Sequence, residues 1–312
     1  MRAMGIAHWD DVEPLAVDFG PMRSTWFNLG KASRSVRVGC RRMEVPPGGR
    51  TTPVHRHTAE EEFFFVLAGS GLSWQDGETF EVGEGDVLLH LADGEAHTLI
   101  AGDDGIDLLA FGTRAYVEAG VLPRAGVAWL GEAQVWTEVG GDHPFAREAS
   151  VGELELPAAA SPRPDRILNL RDVEPDVTTR RRARFAEREF GGPMGSQLSL
   201  LAHTSIEAGY EGFPPHCHSL DEELFVVLDG SGVVVLGDEE IPVRRGTIVD
   251  RPPSTSVAHS FRADDDADLV YLVYGDLPPN DICFYPRSGK ISFRGVGVLG
   301  RIEPLDYWEG ED

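Results

Sequence analysis

The sequence predicts an all-β chain made of two tandem copies of one domain. Three observations carry this. A block of residues recurs at a fixed spacing over nearly the whole chain. The apolar runs are short and end in glycine-led turns, as buried strands do. Neither copy shows a convincing amphipathic helix across its core region.

The repeat is read from matched residues. Asp11-Val12-Glu13-Pro14 returns as Asp172-Val173-Glu174-Pro175, an offset of 161. The same offset carries Gly48 onto Gly209, His55 onto His216, His57 onto His218 and Glu62 onto Glu223. Val66-Leu67 and Gly69-Ser70-Gly71 fall on Val227-Leu228 and Gly230-Ser231-Gly232. One extra residue then brings His97 onto His259, and a second brings Pro123-Arg124-Ala125-Gly126 onto Pro286-Arg287-Ser288-Gly289. A chain of 312 residues accommodates two domains, placed at 1–150 and 151–312. Between them, near 140–166, the run Pro157 to Pro164 denies backbone donors and predicts an extended linker. The basic run Arg180 to Arg184 is expected to be a solvated strand or loop face.

Strands follow in order along each copy. Glu62–Leu67 and Leu224–Leu228 are apolar runs that stop at Gly-Ser-Gly, and each predicts a buried strand. Asp76-Gly77 lies between Leu72-Ser73-Trp74 and Thr79–Val82, the signal of a tight hairpin. Gly232–Leu236, Gly237-Asp238 and Ile241–Val243 repeat that layout in the second copy.

Composition narrows the function. A net charge of −24 argues against nucleic acid and anionic membrane surfaces, since both need basic patches. No apolar run is long enough to span a bilayer, and the first residues lack the apolar stretch of a signal peptide. Cys40, Cys217 and Cys283 are too few and scattered for a disulfide framework. A cytoplasmic protein acting on a small molecule is expected.

The chemistry sits in His55-Arg56-His57-x4-Glu62 and His216-Cys217-His218-x4-Glu223. Side chains alternate along a strand, so His-x-His sends both imidazoles to one face and Arg56 or Cys217 to the other. The chain can return on the next strand with Glu62 or Glu223 aimed at the same point. His97 and His259 would arrive on a third strand, after turns at Gly85 and Gly246. Three imidazoles and one carboxylate suit divalent iron, manganese, zinc, nickel or cobalt, up to one ion per copy, with positions left open for substrate or oxygen.

Gly49-x5-His55-x-His57-x4-Glu62-x6-Gly69, followed by a glycine-led segment ending in histidine, resembles the two-part signature of the cupins. The resemblance covers both halves and extends to the tails Leu122–Gly126 and Tyr285–Lys290, which look like those of uncharacterised conserved-barrel cupins. It implies two tandem double-stranded β-helix (jelly-roll) barrels. It also implies His55, His57, Glu62 and His97 as ligands of one metal and His216, His218, Glu223 and His259 as ligands of another. The second motif departs from the pattern. Gly85 to His97 has one extra residue and no proline, while Gly246 to His259 keeps Pro252 and has two extra. The first copy lies closer to the pattern overall and is the expected catalytic barrel if only one is active.

Other residues have plainer readings. His8, His90, His143 and His203 lie outside the pattern and are expected to be structural or superficial. Cys217, pointing away from the metal, reads as a packed free thiol. Glu60, Glu61, Asp221 and Glu222 could supply a general base, but in a connecting turn they are expected to be solvated. If Glu62 points inward so does Phe64, leaving Phe63 and Phe65 to pack outside, against the partner barrel.

Bicupins carry many chemistries, so the fold alone does not choose among them. The expected function is a metal-dependent enzyme of the dioxygenase type, acting on a small oxygen-rich or aromatic compound, with Glu62 or Glu223 as ligand and proton acceptor. Metal-assisted decarboxylation or isomerisation is the alternative, and a non-catalytic small-molecule-binding protein is the reading from another class. Whether the barrels associate within the chain, between chains as a homo-oligomer, or both is left open.

Overall fold

A computed structural model describes residues 5–130, 135–136 and 143–311. Its described residues form an eight-stranded sheet in the first half and a nine-stranded sheet in the second, each with a smaller four-stranded sheet beside it. Helices are limited to short segments such as Leu29–Ser33 and Gly191–Met194. The chain is mostly β, as two tandem jelly-roll barrels require.

Each barrel is organised by one long strand, Glu62–Gln75 and its equivalent Glu223–Leu236. The first half of each pairs on one side with Asp86–His90 or Thr247–Arg251. On the other side it pairs with His97–Thr113 or Leu269–Asp276. A change of register near the middle bends the strand, so its two ends serve different walls of the barrel. Glycine is needed at the bend. Gly69 has φ +82° and a Cβ there would lie 2.2 Å from the Gly105 carbonyl oxygen. At Gly230, with φ +72°, the corresponding approach to Asp268 is 1.7 Å. The expected hairpin at Asp76-Gly77 is present, with both residues at positive φ.

The two halves exchange strands. Gly5–His8 pairs with Thr247–Arg251 of the second barrel, and Ile167–Asn169 pairs with Asp86–His90 of the first. These segments are equivalent by the repeat, so each copy's opening strand completes the other copy's sheet. The barrels therefore associate within the chain. Phe63, Phe65, Leu89 and Phe111 share one buried cluster with Leu224, Val226, Ile248 and Tyr274. Phe64 belongs instead to the interior of the first barrel, as strand alternation predicts.

The glutamates Glu61 and Glu222 do not behave as expected. They are buried at 1% and 0% exposure rather than solvated. Glu61 accepts hydrogen bonds from the Gln197 and Leu198 amides (2.8 and 3.1 Å) and from the hydroxyls of Ser196 and Ser199 (2.5 and 2.9 Å). Glu222 accepts from the amides of Val36, Arg37 and Val38. The residue that faces away from a barrel's own interior points into the other barrel's loop, not into water. Glu60 and Asp221 are largely covered as well, and Asp221 is paired with Arg294.

The linker begins at residues that lie outside those described, as do the first four residues of the chain. From His143 the linker is first helical, Pro144–Ser150, where an extended segment was expected. Pro144 stands in the first turn, where its missing donor costs nothing, and the His143 side chain accepts from the Phe145 amide. The buried Glu148 fixes the helix by pairing with Arg124 at 2.8 Å. Beyond it, the proline-rich part has no regular element.

Candidate metal centres

In each half the two-residue strand Arg56–His57 or Cys217–His218 is the inner edge of the four-stranded sheet, while the glutamate and third histidine come from the large sheet. The third histidine is positioned by its backbone. His55 and His97 exchange amide-to-carbonyl hydrogen bonds of 3.1 and 2.8 Å, and His216 and His259 exchange bonds of the same lengths. The extra residues of the second motif do not disturb this pairing. They are taken up in turns where Asp93, Ser254 and Ser256 adopt positive φ. Asp93 and Ser254 are anchored alike, each donating its amide to the carbonyl of His57 or His218.

The structure thus brings all eight predicted residues into two clusters of four. Ring centroids of His55 and His57 are 5.1 Å apart, those of His55 and His97 4.6 Å, and those of His57 and His97 6.5 Å. The second cluster repeats these separations as 5.1, 4.3 and 6.4 Å. Glu62 Oε2 lies 3.0, 3.7 and 3.9 Å from the Nε2 atoms of His97, His55 and His57. Glu223 Oε2 lies 3.0 Å from His259 Nε2 and 3.5 Å from His218 Nε2.

The outward nitrogens decide which ones remain available. Nδ1 of His55 and His216 faces the carbonyls of Pro53 and Pro214 at 3.0 and 2.8 Å. Nδ1 of His57 faces Glu118 Oε1 at 3.1 Å, and Nδ1 of His218 faces Asp281 Oδ2 at 2.7 Å. An imidazole that donates from Nδ1 keeps its Nε2 lone pair for an ion, and carboxylate or carbonyl partners of this kind orient metal-binding histidines generally. In the second cluster Nε2 of His218 and His259 and Oε2 of Glu223 are buried and face one another, at 3.5 and 3.0 Å from the carboxylate, without a well-formed hydrogen bond. Such atoms are costly unless something else satisfies them, and a divalent transition ion fits this donor set.

Electrostatics agree with that fit. Burial presses His97 and His259 down to about 3, aided by the neighbouring His90 and His216, so both stay neutral donors. Burial would raise Glu62, but the surrounding imidazoles hold it well below the usual carboxylate range, and Glu223 behaves likewise. For His57, burial is outweighed by Glu118, Glu62 and Glu60, which lift it to about 9. Glu223 and Asp281 do the same for His218, lifting it to about 11. Each cluster thus combines an ionised glutamate with an imidazole held neutral, the forms in which both bind a metal ion.

Three differences between the clusters were not visible in the motif. His90 sits beside Glu62 in register and stacks on His97 with centroids 3.6 Å apart. The second copy has Arg251 at that place, 3% exposed, with Nε and Nη1 buried and unpartnered. Arg41 faces the first cavity, where the Glu62 charge favours it, while the equivalent position in the second copy is Ala202. Third, Cys283 pairs with His218 where Gly120 pairs with His57. Cys217, by contrast, pairs with Phe284 on the other face. His203 is a buried structural residue and His143 a helix cap, consistent with their place outside the motif.

Residues 41–110 and 202–275 match the cupin domain family, one match per half. The chain is a bicupin of the cupin superfamily. Over 44 residues the bicupin is 41% identical to an uncharacterised protein of Methanocaldococcus jannaschii, a stretch covering 14% of this chain and 35% of that relative. The match therefore spans about a third of the relative's length. Among solved structures, the formate complex of Lactobacillus farciminis oxalate decarboxylase aligns with 89% of the bicupin and 87% of its own chain, at 16% identity and a TM-score of 0.62. A deletion mutant of Bacillus subtilis oxalate decarboxylase aligns over 86% and 76%, at 16% identity and a TM-score of 0.59. At such identity the likeness is one of fold. No helix among the described residues is long and apolar enough to cross a membrane.

Proposed function

We propose that this bicupin is a metal-dependent enzyme acting on a small, carboxylate-bearing compound, with decarboxylation as its reaction class. The observation that carries the reading is an arginine beside each cluster, from a different strand in each barrel: partly buried Arg41 in the first, its Nε donating to Asn28 Oδ1 at 3.0 Å, and buried Arg251 in the second. The Arg251 guanidinium, buried with Nε and Nη1 unpartnered, is costly alone and becomes favourable when a carboxylate pairs with it. The likeness in fold to oxalate decarboxylases supports the reaction class without deciding it.

When bound, the ion would supply Lewis acidity and a fixed point for a substrate oxygen. His55, His57, Glu62 and His97 would hold it in the first barrel, and His216, His218, Glu223 and His259 in the second. The chain's own residues account for the rest. Glu118 and Asp281 fix the orientation of His57 and His218. Arg41 and Arg251 hold the anionic end of the substrate and oppose the negative charge that builds up as carbon dioxide departs. Phe64 and Phe225 stand edge-on to His97 and His259, with centroids 6.2 and 5.4 Å away, and exclude water from that side. The motif favours the first barrel as the catalytic one, whereas the unpartnered guanidinium favours the second for an anionic substrate.

The test is reconstitution with each divalent metal, followed by turnover on a panel of small carboxylic acids that includes oxalate and α-keto acids. Release of carbon dioxide without oxygen uptake is expected, with His57→Ala and His218→Ala showing which barrel is responsible. Stoichiometric oxygen consumption would replace this reading with the dioxygenase chemistry that the sequence suggested. Protein that retains no metal would remove both.

A further inference from the structure

The second centre has a donor that the first lacks. Strand Ile282–Tyr285 lies antiparallel to Cys217–His218, with Cys283 directly opposite His218. Directly opposed residues project to the same face, so the Cys283 thiol shares the face of the metal-facing imidazole. Its sulfur and one ring nitrogen from each of His216 and His218 lie within 4.8 Å of one another. Cys283 is 7% exposed and unbridged, and two residues on, Tyr285 stacks on His216 at 5.8 Å and covers that side. Independently, His259 in the same cluster is 2% exposed, its Nδ1 has no hydrogen-bond partner, and its Nε2 points into the cluster, meeting only Glu223 Oε2 at 3.0 Å. In the first barrel the position opposite His57 is Gly120, which brings no donor atom.

We propose that Cys283 is a thiolate ligand of the second metal, making the two centres chemically unequal. This rests on the reading of His216, His218, Glu223 and His259 as a metal centre. On binding, the S–H bond breaks, sulfur keeps the electron pair and forms the bond to the ion, and the proton passes to solvent. No oxidant or reductant is involved. A sulfur donor shifts preference toward thiophilic ions such as zinc, cobalt and iron and away from manganese, whereas the all-nitrogen-and-oxygen first centre has no such bias.

The experiment uses the full chain loaded with cobalt(II), which reports sulfur coordination through a thiolate-to-cobalt charge-transfer band in the near ultraviolet. The wild-type protein should show the band. His57→Ala and Cys217→Ser should keep it, while His218→Ala and Cys283→Ser should lose it. In Cys283→Ser the bound cobalt should otherwise persist, with preference for zinc over manganese at the second centre falling at least tenfold. Cobalt bound in the second barrel with visible bands but no near-ultraviolet band in the wild type would overturn the thiolate and leave the metal centre standing. A band that survives in Cys283→Ser would do the same. Failure of the second barrel to bind cobalt would overturn both. Because the wild-type spectrum alone can reject the proposal, a variant that fails to fold does not shelter it.

Discussion

Nδ1 of His57 lies 3.1 Å from Oε1 of Glu118, a residue on the chain segment leading into the outer sheet and far from the histidine motif in sequence. Glu118 also accepts from the amides of Thr58 and Ala59, so it ties the turn behind the histidine to that sheet. Asp281 does the same behind His218, accepting from the Leu220 amide.

Glu118→Gln should therefore weaken metal binding in the first barrel by roughly 10–100-fold and leave the second barrel unchanged. Asp281→Asn should show the converse. Chelator-competition titrations on each variant measure this, and equal losses in both barrels would refute the assignment of one carboxylate to each centre.

Arg251→Met should have effects of opposite sign on ligand and fold. Without a carboxylate present, replacing a buried cation that has unpartnered donors should leave thermal stability unchanged or raise it. Affinity for a carboxylate probe such as acetate at the second centre should fall about tenfold or more, following the usual worth of charge-assisted hydrogen bonds, ~1.5–3 kcal/mol. Calorimetric titration and a melting curve read the two arms. A less stable variant with unchanged acetate binding would make Arg251 a structural residue.

Removing either inter-barrel glutamate should be costly. Glu61→Ala leaves two amides and the Ser199 hydroxyl without their acceptor in a buried place, and Glu222→Ala leaves three amides so. A loss of about 2–4 kcal/mol is expected for each, given penalties of ~1–3 kcal/mol per buried orphaned group and partial relaxation. Urea unfolding would show it, and a change below about 1 kcal/mol, the ordinary range of surface substitutions, would mean that the contact is incidental.

Asp250 gives stability a pH dependence. Burial, and then the adjacent Glu222 carboxylate, raise its pKa above the usual carboxylate range. A folded pKa above the unfolded one means that the folded protein binds more protons between the two values. The stabilisation is thus complete below the ordinary aspartate range and is lost as pH rises through the raised value. The first copy has Leu89 at this position. Asp250→Asn should flatten the decline in stability from mildly acidic to mildly alkaline pH, measured by urea unfolding across that range. A wild-type protein that gains stability over the same range would contradict the assignment.

The ligands were legible because two independent regularities coincide on them, the repeat and the alternation of side chains along a strand. His55, His57, Glu62 and their copies need only those two rules. Glu118 and Asp281 were missed because their place behind the histidines depends on which strands pair, a long-range property that local spacing does not encode. The repeat held a usable signal, since continuing its alignment past the second insertion sets Glu118 against Asp281 and Gly120 against Cys283. Arg41 and Arg251 had no such signal, because each stands opposite a different residue type in the other copy. Glu61 and Glu222 were misread for a simpler reason. Alternation says which residues leave a barrel's interior, but not that a second barrel occupies the space they enter.

The exchange of Gly5–His8 and Ile167–Asn169 makes the halves inseparable. Proteolytic nicking between the two copies should not release independent fragments, because each fragment still supplies an edge of the other's wall. Trimming the chain ahead of Trp9 would expose the flank of Thr247–Arg251 and disturb the pocket more than two hundred residues away, while the nearer pocket keeps its neighbour. In this protein, distance along the chain is a poor guide to which centre a terminal truncation will damage.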